Sequence, residues 1–115
     1  MVCSSGLLWL TACTYDSEEI LFPPASCDTI AVSYQQRVLP ILETNCYRCH
    51  DTANAQGGIQ LEAYPDLREL ALIGSLLGAI RHEEGFSPMP QEAPKLSECT
   101  IETIAAWVNQ GALDN

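Results

Sequence analysis

NCYRCHD, residues 45–51, places two cysteines and a histidine within five consecutive positions of a chain that has six cysteines and two histidines in all. The thiols of Cys46 and Cys49 stand one helical turn apart, and His50 follows directly. Upstream, in SYQQRVLPILETN (33–45), Tyr34, Val38, Ile41 and Leu42 recur at the spacing of one helical face. Ser33 with Gln36 suits a capping box, Pro40 should kink the helix, and the helix should end close to Cys46. Downstream the pattern is lost from Asp51 to Ala63, where Gly57-Gly58 marks a loop. YPDLRELALIGSLLGAIRH (64–82) predicts one or two short helices, with Leu67, Leu70, Leu76, Leu77 and Ile80 inward and Gly74 as the break. EEGFSPMPQEAPK (83–95), with three prolines and a glycine, is irregular. LSECTIETIAAWVNQG (96–111) predicts a final helix with Ile101, Ile104, Ala105 and Val108 on one face, Ser97 or Thr100 as N-cap and Gly111 past its end. No stretch shows strand alternation, so the expectation is an all-α protein with long loops.

The chain is 115 residues, one short domain that gains from a crosslink or a bound cofactor. With 47% apolar and 17% charged residues it has the composition of a folded protein. Fifteen carboxylates oppose five scattered basic residues, a formal charge of −10, which excludes nucleic acid as a partner because such binding rests on neutralising phosphates. An acidic body of this kind meets a partner with a basic face more readily.

The amino terminus reads as a targeting segment. GLLWLTAC (6–13) is a short apolar run ending in small residues, as in a secretory signal, although no basic stretch precedes it. Leu10-Thr11-Ala12-Cys13 resembles the lipobox of bacterial lipoproteins, which makes residues 1–12 a signal peptide and Cys13 a lipidation site; an ordinary signal peptide with an incidental cysteine is the alternative. TYDSEEILFPPASCD (14–28), with four acids, two adjacent prolines and no base, has the chemistry of a tether. The organisation expected is therefore signal 1–12, acidic tether 13–28 and domain 29–115.

Cys-x-x-Cys-His at Cys46, Cys49 and His50 is the attachment signature of a c-type haem. Thiols one turn apart can add to two vinyl groups on one porphyrin edge, and the next residue brings its imidazole under the iron. Met89, the only methionine besides Met1, lies between Pro88 and Pro90, 39 residues after His50, and is the candidate sixth ligand. Other readings exist for each. A redox dithiol needs a thioredoxin-like βαβ pattern. Zinc could recruit Cys46, Cys49, His50 and Cys99, but adjacent Cys49 and His50 strain tetrahedral ligation. Met89 could be a core residue, and His82 could compete with it for the iron or lie at the surface or the haem edge. Trp107 and Phe86 are core or haem-wall residues, and Arg48 and Arg81 either pair with propionates or lie solvated.

From about Cys27 to Gly111 the sequence resembles class I monohaem c-type cytochromes: a first helix, CYRCH, a loop with small helices, an SPMP loop, and a last helix carrying Trp107. It looks most like the small lipoprotein-type cytochromes of Gram-negative bacteria. That resemblance implies an amino-terminal helix packed crosswise on a carboxy-terminal one beside one covalent haem, thioether bonds at Cys46 and Cys49, and His50 and Met89 as iron ligands. Pro40 departs from the family pattern, and so does the stretch after His50, which lacks a proline to support the proximal imidazole. With Cys3 in the signal and Cys13 lipidated, Cys27 and Cys99 are left as a candidate disulfide in an oxidising compartment; two unpaired thiols are the alternative.

The function so implied is one-electron transfer to and from redox protein partners, without enzymatic activity of its own. The carrier would be exported, on the periplasmic or cell-surface side, and held to a bacterial membrane by lipid alone. The rivals are a haem-based sensor or peroxidase-like module with a labile distal ligand, and a subunit that admits electrons into a larger redox complex.

Overall fold

The structure, a computed structural model, describes residues 27–115. The expected signal peptide, Cys3, the lipidation site Cys13 and most of the tether lie outside the described residues. Ser33 opens the first helical segment, its Oγ accepting from the Gln36 N–H at 3.1 Å, which is the serine half of the expected capping box. Tyr34–Val38 then forms a π-helical turn that runs into α1, Leu39–Asn45. Pro40 explains the change of pitch. It has no N–H for the carbonyl four residues back, and the chain adapts with a wide turn in which Val38 and Leu39 donate five residues back, to Ser33 and Tyr34. Pro40 thereby lands in the first turn of α1, where a missing donor costs nothing. The expected kink is thus a π-to-α switch.

The motif itself forms α2, Tyr47–His50, behind Cys46. A 3₁₀ turn at Gln56–Gly58 interrupts the loop that follows. α3 spans Tyr64–Leu72 and α4 spans Ser75–Ile80, divided at Gly74, whose φ of +93° is one that glycine adopts without strain. α5 spans Glu98–Asn109, with Ser97 Oγ accepting from the Thr100 N–H at 3.2 Å and Gly111 at φ +110° just beyond its end. Among the described residues there is no strand, and the molecule is all-α.

The π-helical turn packs on α5, α3 on α4, and α4 on α5. Val38, Leu42, Leu67, Ile80, Ile101, Ile104 and Trp107 are buried in one core. Leu70, Leu77 and Val108 reach it only in part. Trp107 stacks on Tyr34 with ring centroids 5.6 Å apart, and its indole N–H donates to the Leu113 carbonyl at 2.8 Å. Trp107 is therefore a core residue at the contact between the first helical segment and the last.

The two ends of the domain are knitted together on this side. Cys27 and Cys99 form a disulfide, with Cα atoms 5.5 Å apart. The Gln110 amide accepts from the Val32 N–H and donates to the Thr29 carbonyl, both at 2.8 Å. Asn115 in turn receives the Tyr34 N–H and the Ser33 hydroxyl, each at 2.8 Å. Among the described residues no helix is long and apolar enough to cross a membrane.

Candidate functional site: the CYRCH helix and the methionine loop

α2 is a single turn. The Cys49 and His50 N–H groups both donate to the Cys46 carbonyl, at 3.2 and 3.0 Å, so the two thiols and the imidazole are carried by one closed turn of backbone. Cys46 and Cys49 are free thiols, each half-buried. Burial pushes the Cys46 thiol up to about 11, with the neighbouring Cys49 adding to it, so Cys46 stays protonated at neutral pH.

His50 is 9% exposed. Its Nδ1 lies 3.0 Å from the Ile59 carbonyl oxygen. A carbonyl can only accept, so Nδ1 carries a proton; in the neutral ring this is the tautomer whose lone pair is on Nε2. Nε2 has no hydrogen-bond partner among the described residues. With Nδ1–H committed to a carbonyl, Nε2 is the nitrogen through which this ring would ligate a metal.

The supporting carbonyl comes from the loop after the motif. Asp51 Oδ1 accepts from the Asn54 N–H at 2.7 Å and turns the chain, and Gly57 and Gly58, at φ +68° and +74°, bring it back. The return is closed by the Leu61 N–H donating to the His50 carbonyl at 2.8 Å and by Glu62 accepting from the Thr52 N–H at 2.8 Å. The His50 imidazole is thus supported by the backbone of Ile59, with no proline in the stretch. Sequence inspection passed over Ile59, since a carbonyl belongs to every residue; the only signal was the Gly57-Gly58 pair.

Met89 lies half-buried in the irregular segment that follows α4. Its N–H donates to the Ala79 carbonyl at 3.0 Å, and its own carbonyl accepts from His82 Nε2 at 3.0 Å. The Met89–Pro90 peptide is cis. Phe86 fixes the same segment to α4: a β-carbon at Gly78 would stand 2.5 Å from its ring. Phe86 is otherwise 40% exposed, so it is a surface ring over Gly78 and not a core residue. Arg48 is exposed, and Arg81 lies 4.0 Å from Glu83 in an exposed pair that contributes little.

The residue types fit a haem: an imidazole whose Nδ1–H is committed to a carbonyl, two free thiols on the same turn of backbone, and a thioether on a segment pinned at both its backbone groups. The zinc alternative loses Cys99, which is in the disulfide, and among the described residues no group of three or more His, Cys, Asp or Glu side chains is placed to hold a metal ion. The redox-dithiol alternative lacks its βαβ fold among the described residues. Comparison with protein families, with curated proteins and with solved structures finds no match to this chain.

Proposed function

We propose that the chain is a one-electron carrier with a cytochrome c-like fold, in which Cys46 and Cys49 hold one c-type haem covalently and His50 and Met89 ligate its iron. The observation that carries this reading is the His50 Nδ1–Ile59 carbonyl hydrogen bond, which orients the imidazole on the same turn of backbone as the free thiols Cys46 and Cys49. When bound, the haem supplies an iron that gains or loses a single electron.

The protein's part follows from its own groups. Cys46 and Cys49 would hold the haem by each adding S–H across a vinyl double bond, sulfur to one carbon and hydrogen to the other, so that nothing would leave and no oxidant would be consumed. Cys46, held as a thiol by burial, is in the state that this addition consumes. The Ile59 carbonyl makes the imidazole a stronger donor by drawing on its N–H. Met89, a weaker donor than a second histidine, favours the ferrous state and a high potential. With His50 and Met89 both holding the iron, no position would be left for a substrate, which suits outer-sphere transfer.

The formal charge of −10 favours redox partners with a basic docking face. The Cys27–Cys99 disulfide is chemistry of an oxidising compartment, in keeping with export to the periplasmic or cell-surface side and a lipid anchor at Cys13.

Protein secreted by a host that attaches haem is expected to keep its pigment through acid-acetone extraction, and the Cys46→Ala/Cys49→Ala variant to lose it. The reduced wild type should ignore carbon monoxide; a prompt shift would favour the sensor reading, and colourless wild-type protein would sink both.

A further inference from the structure

The C-terminal end of α4 closes in a way that a glycine ordinarily serves. The His82 N–H donates to the Ala79 carbonyl at 3.2 Å and the Glu83 N–H to the Gly78 carbonyl at 2.9 Å, the paired bonds of a helix-terminating Schellman motif. The residue at its left-handed position is His82, at φ +60°. The chain uses glycine for the same purpose at Gly74 and Gly111, so a β-carbon is tolerated here at a cost in backbone strain. What the imidazole does at that point is to donate Nε2–H to the Met89 carbonyl, 3.0 Å away. The Met89 N–H meanwhile donates to the Ala79 carbonyl, which already receives His82 N–H. Both backbone groups of the candidate ligand are therefore fastened to one helix end, one through main chain and one through His82.

Resting on the haem reading above, we infer that His82 is the positioning residue for the distal ligand: it holds the Met89 segment on the end of α4 so that the thioether stays presented to the iron. It neither ligates the metal nor fills the core. The bond is exposed, so its contribution lies in narrowing the arrangements of residues 83–90 and not in burying surface.

A positional role and a merely structural one predict opposite signs for one substitution. His82→Gly relieves the strain at φ +60° and keeps both backbone bonds of the cap, while removing the side chain that reaches Met89. The holoprotein of this variant is expected to form with unchanged haem yield and to melt no lower than wild type. Its methionine–iron charge-transfer band should nevertheless weaken in the oxidised state, its reduced form should bind carbon monoxide, and its Met89 amide should exchange roughly fivefold faster or more, the scale of one lost hydrogen bond. His82→Gln, whose amide N–H has similar reach, should restore the band. An unchanged band, carbon monoxide inertness and Met89 exchange rate in His82→Gly would overturn the assignment of His82 while leaving the haem reading intact. A wild-type protein that has haem but no methionine–iron band would overturn Met89 as ligand instead, and the exchange comparison would still decide whether His82 holds this segment.

Discussion

The two sides of the candidate site are built on different principles. On the histidine side the functional ring is buried, the backbone around it is closed on itself within residues 46–62, and the decisive contact is a ring nitrogen on a carbonyl. On the methionine side, residues 81–88 and 91–95 are exposed, and Met89 is held by two hydrogen bonds and one ring packed on a glycine. The first arrangement resists opening because water would have to reach a buried polar group, whereas the second can open at the cost of a few exposed contacts. Ligand exchange, where it occurs, should therefore start at Met89.

The sharpest break of that asymmetry comes from the ligands. His50→Ala should abolish accumulation of pigmented protein, while Met89→Ala should keep the covalent pigment and bind carbon monoxide once reduced; the two are distinguished by haem staining and a difference spectrum. Equal loss in both would mean that the sides are equally indispensable.

Next in size is the disulfide. Cys27 and Cys99 are 72 residues apart, so replacing both by alanine should lower stability by about 4 kcal/mol on the chain-entropy argument, strain reducing the figure. Denaturant melts check this, and the histidine-side spectrum should survive below the new transition.

Two glycine substitutions then compare the sides directly. Gly78→Ala sets a methyl 2.5 Å from the Phe86 ring; at the cost of overpacking it should destabilise by about 1–3 kcal/mol, and it should loosen the Met89 segment. Gly58→Ala meets open space and suffers only its φ of +74°, so a loss nearer about 1 kcal/mol is expected, with the His50 imidazole less well supported.

The last effect is silent at neutral pH and appears only in alkali. In chain made without haem, the Cys46 thiol is pushed up by burial to about 11 from an ordinary value near 9. A raised thiol means that the folded state holds its proton longer than the unfolded one, so stability is intact below about pH 9 and falls as pH climbs towards 11. Alkylation of Cys46 at pH 8 should accordingly be slow and should accelerate on unfolding.

Much of this was legible in the residues themselves. Gly74 as the break between α3 and α4, Ser97 as a cap and Gly111 past the last helix are local signals whose physics does not depend on distant contacts. That Cys46, Cys49 and His50 share one turn of backbone was legible from their spacing alone. The π turn was not, because a proline states only that a hydrogen bond is missing and the chain may widen or bend to meet it. Nor was the Ile59 carbonyl, which looks like any other backbone oxygen until the loop returns it to His50. His82 escaped for the converse reason: a left-handed helix end is normally announced by glycine, and here a histidine occupies it.

The sulfur bridge at the domain's edge also sets how the protein would bear load. Tension applied between the amino-terminal segment and the carboxyl end crosses from Cys27 to Cys99 directly, and the 72-residue span bypassed by that crossing includes His50 and Met89 alike. Among the described residues only those after Cys99 lie outside the closed loop, so a pull between Cys27 and the carboxyl end would draw out α5 and its tail before it reached residues 28–98.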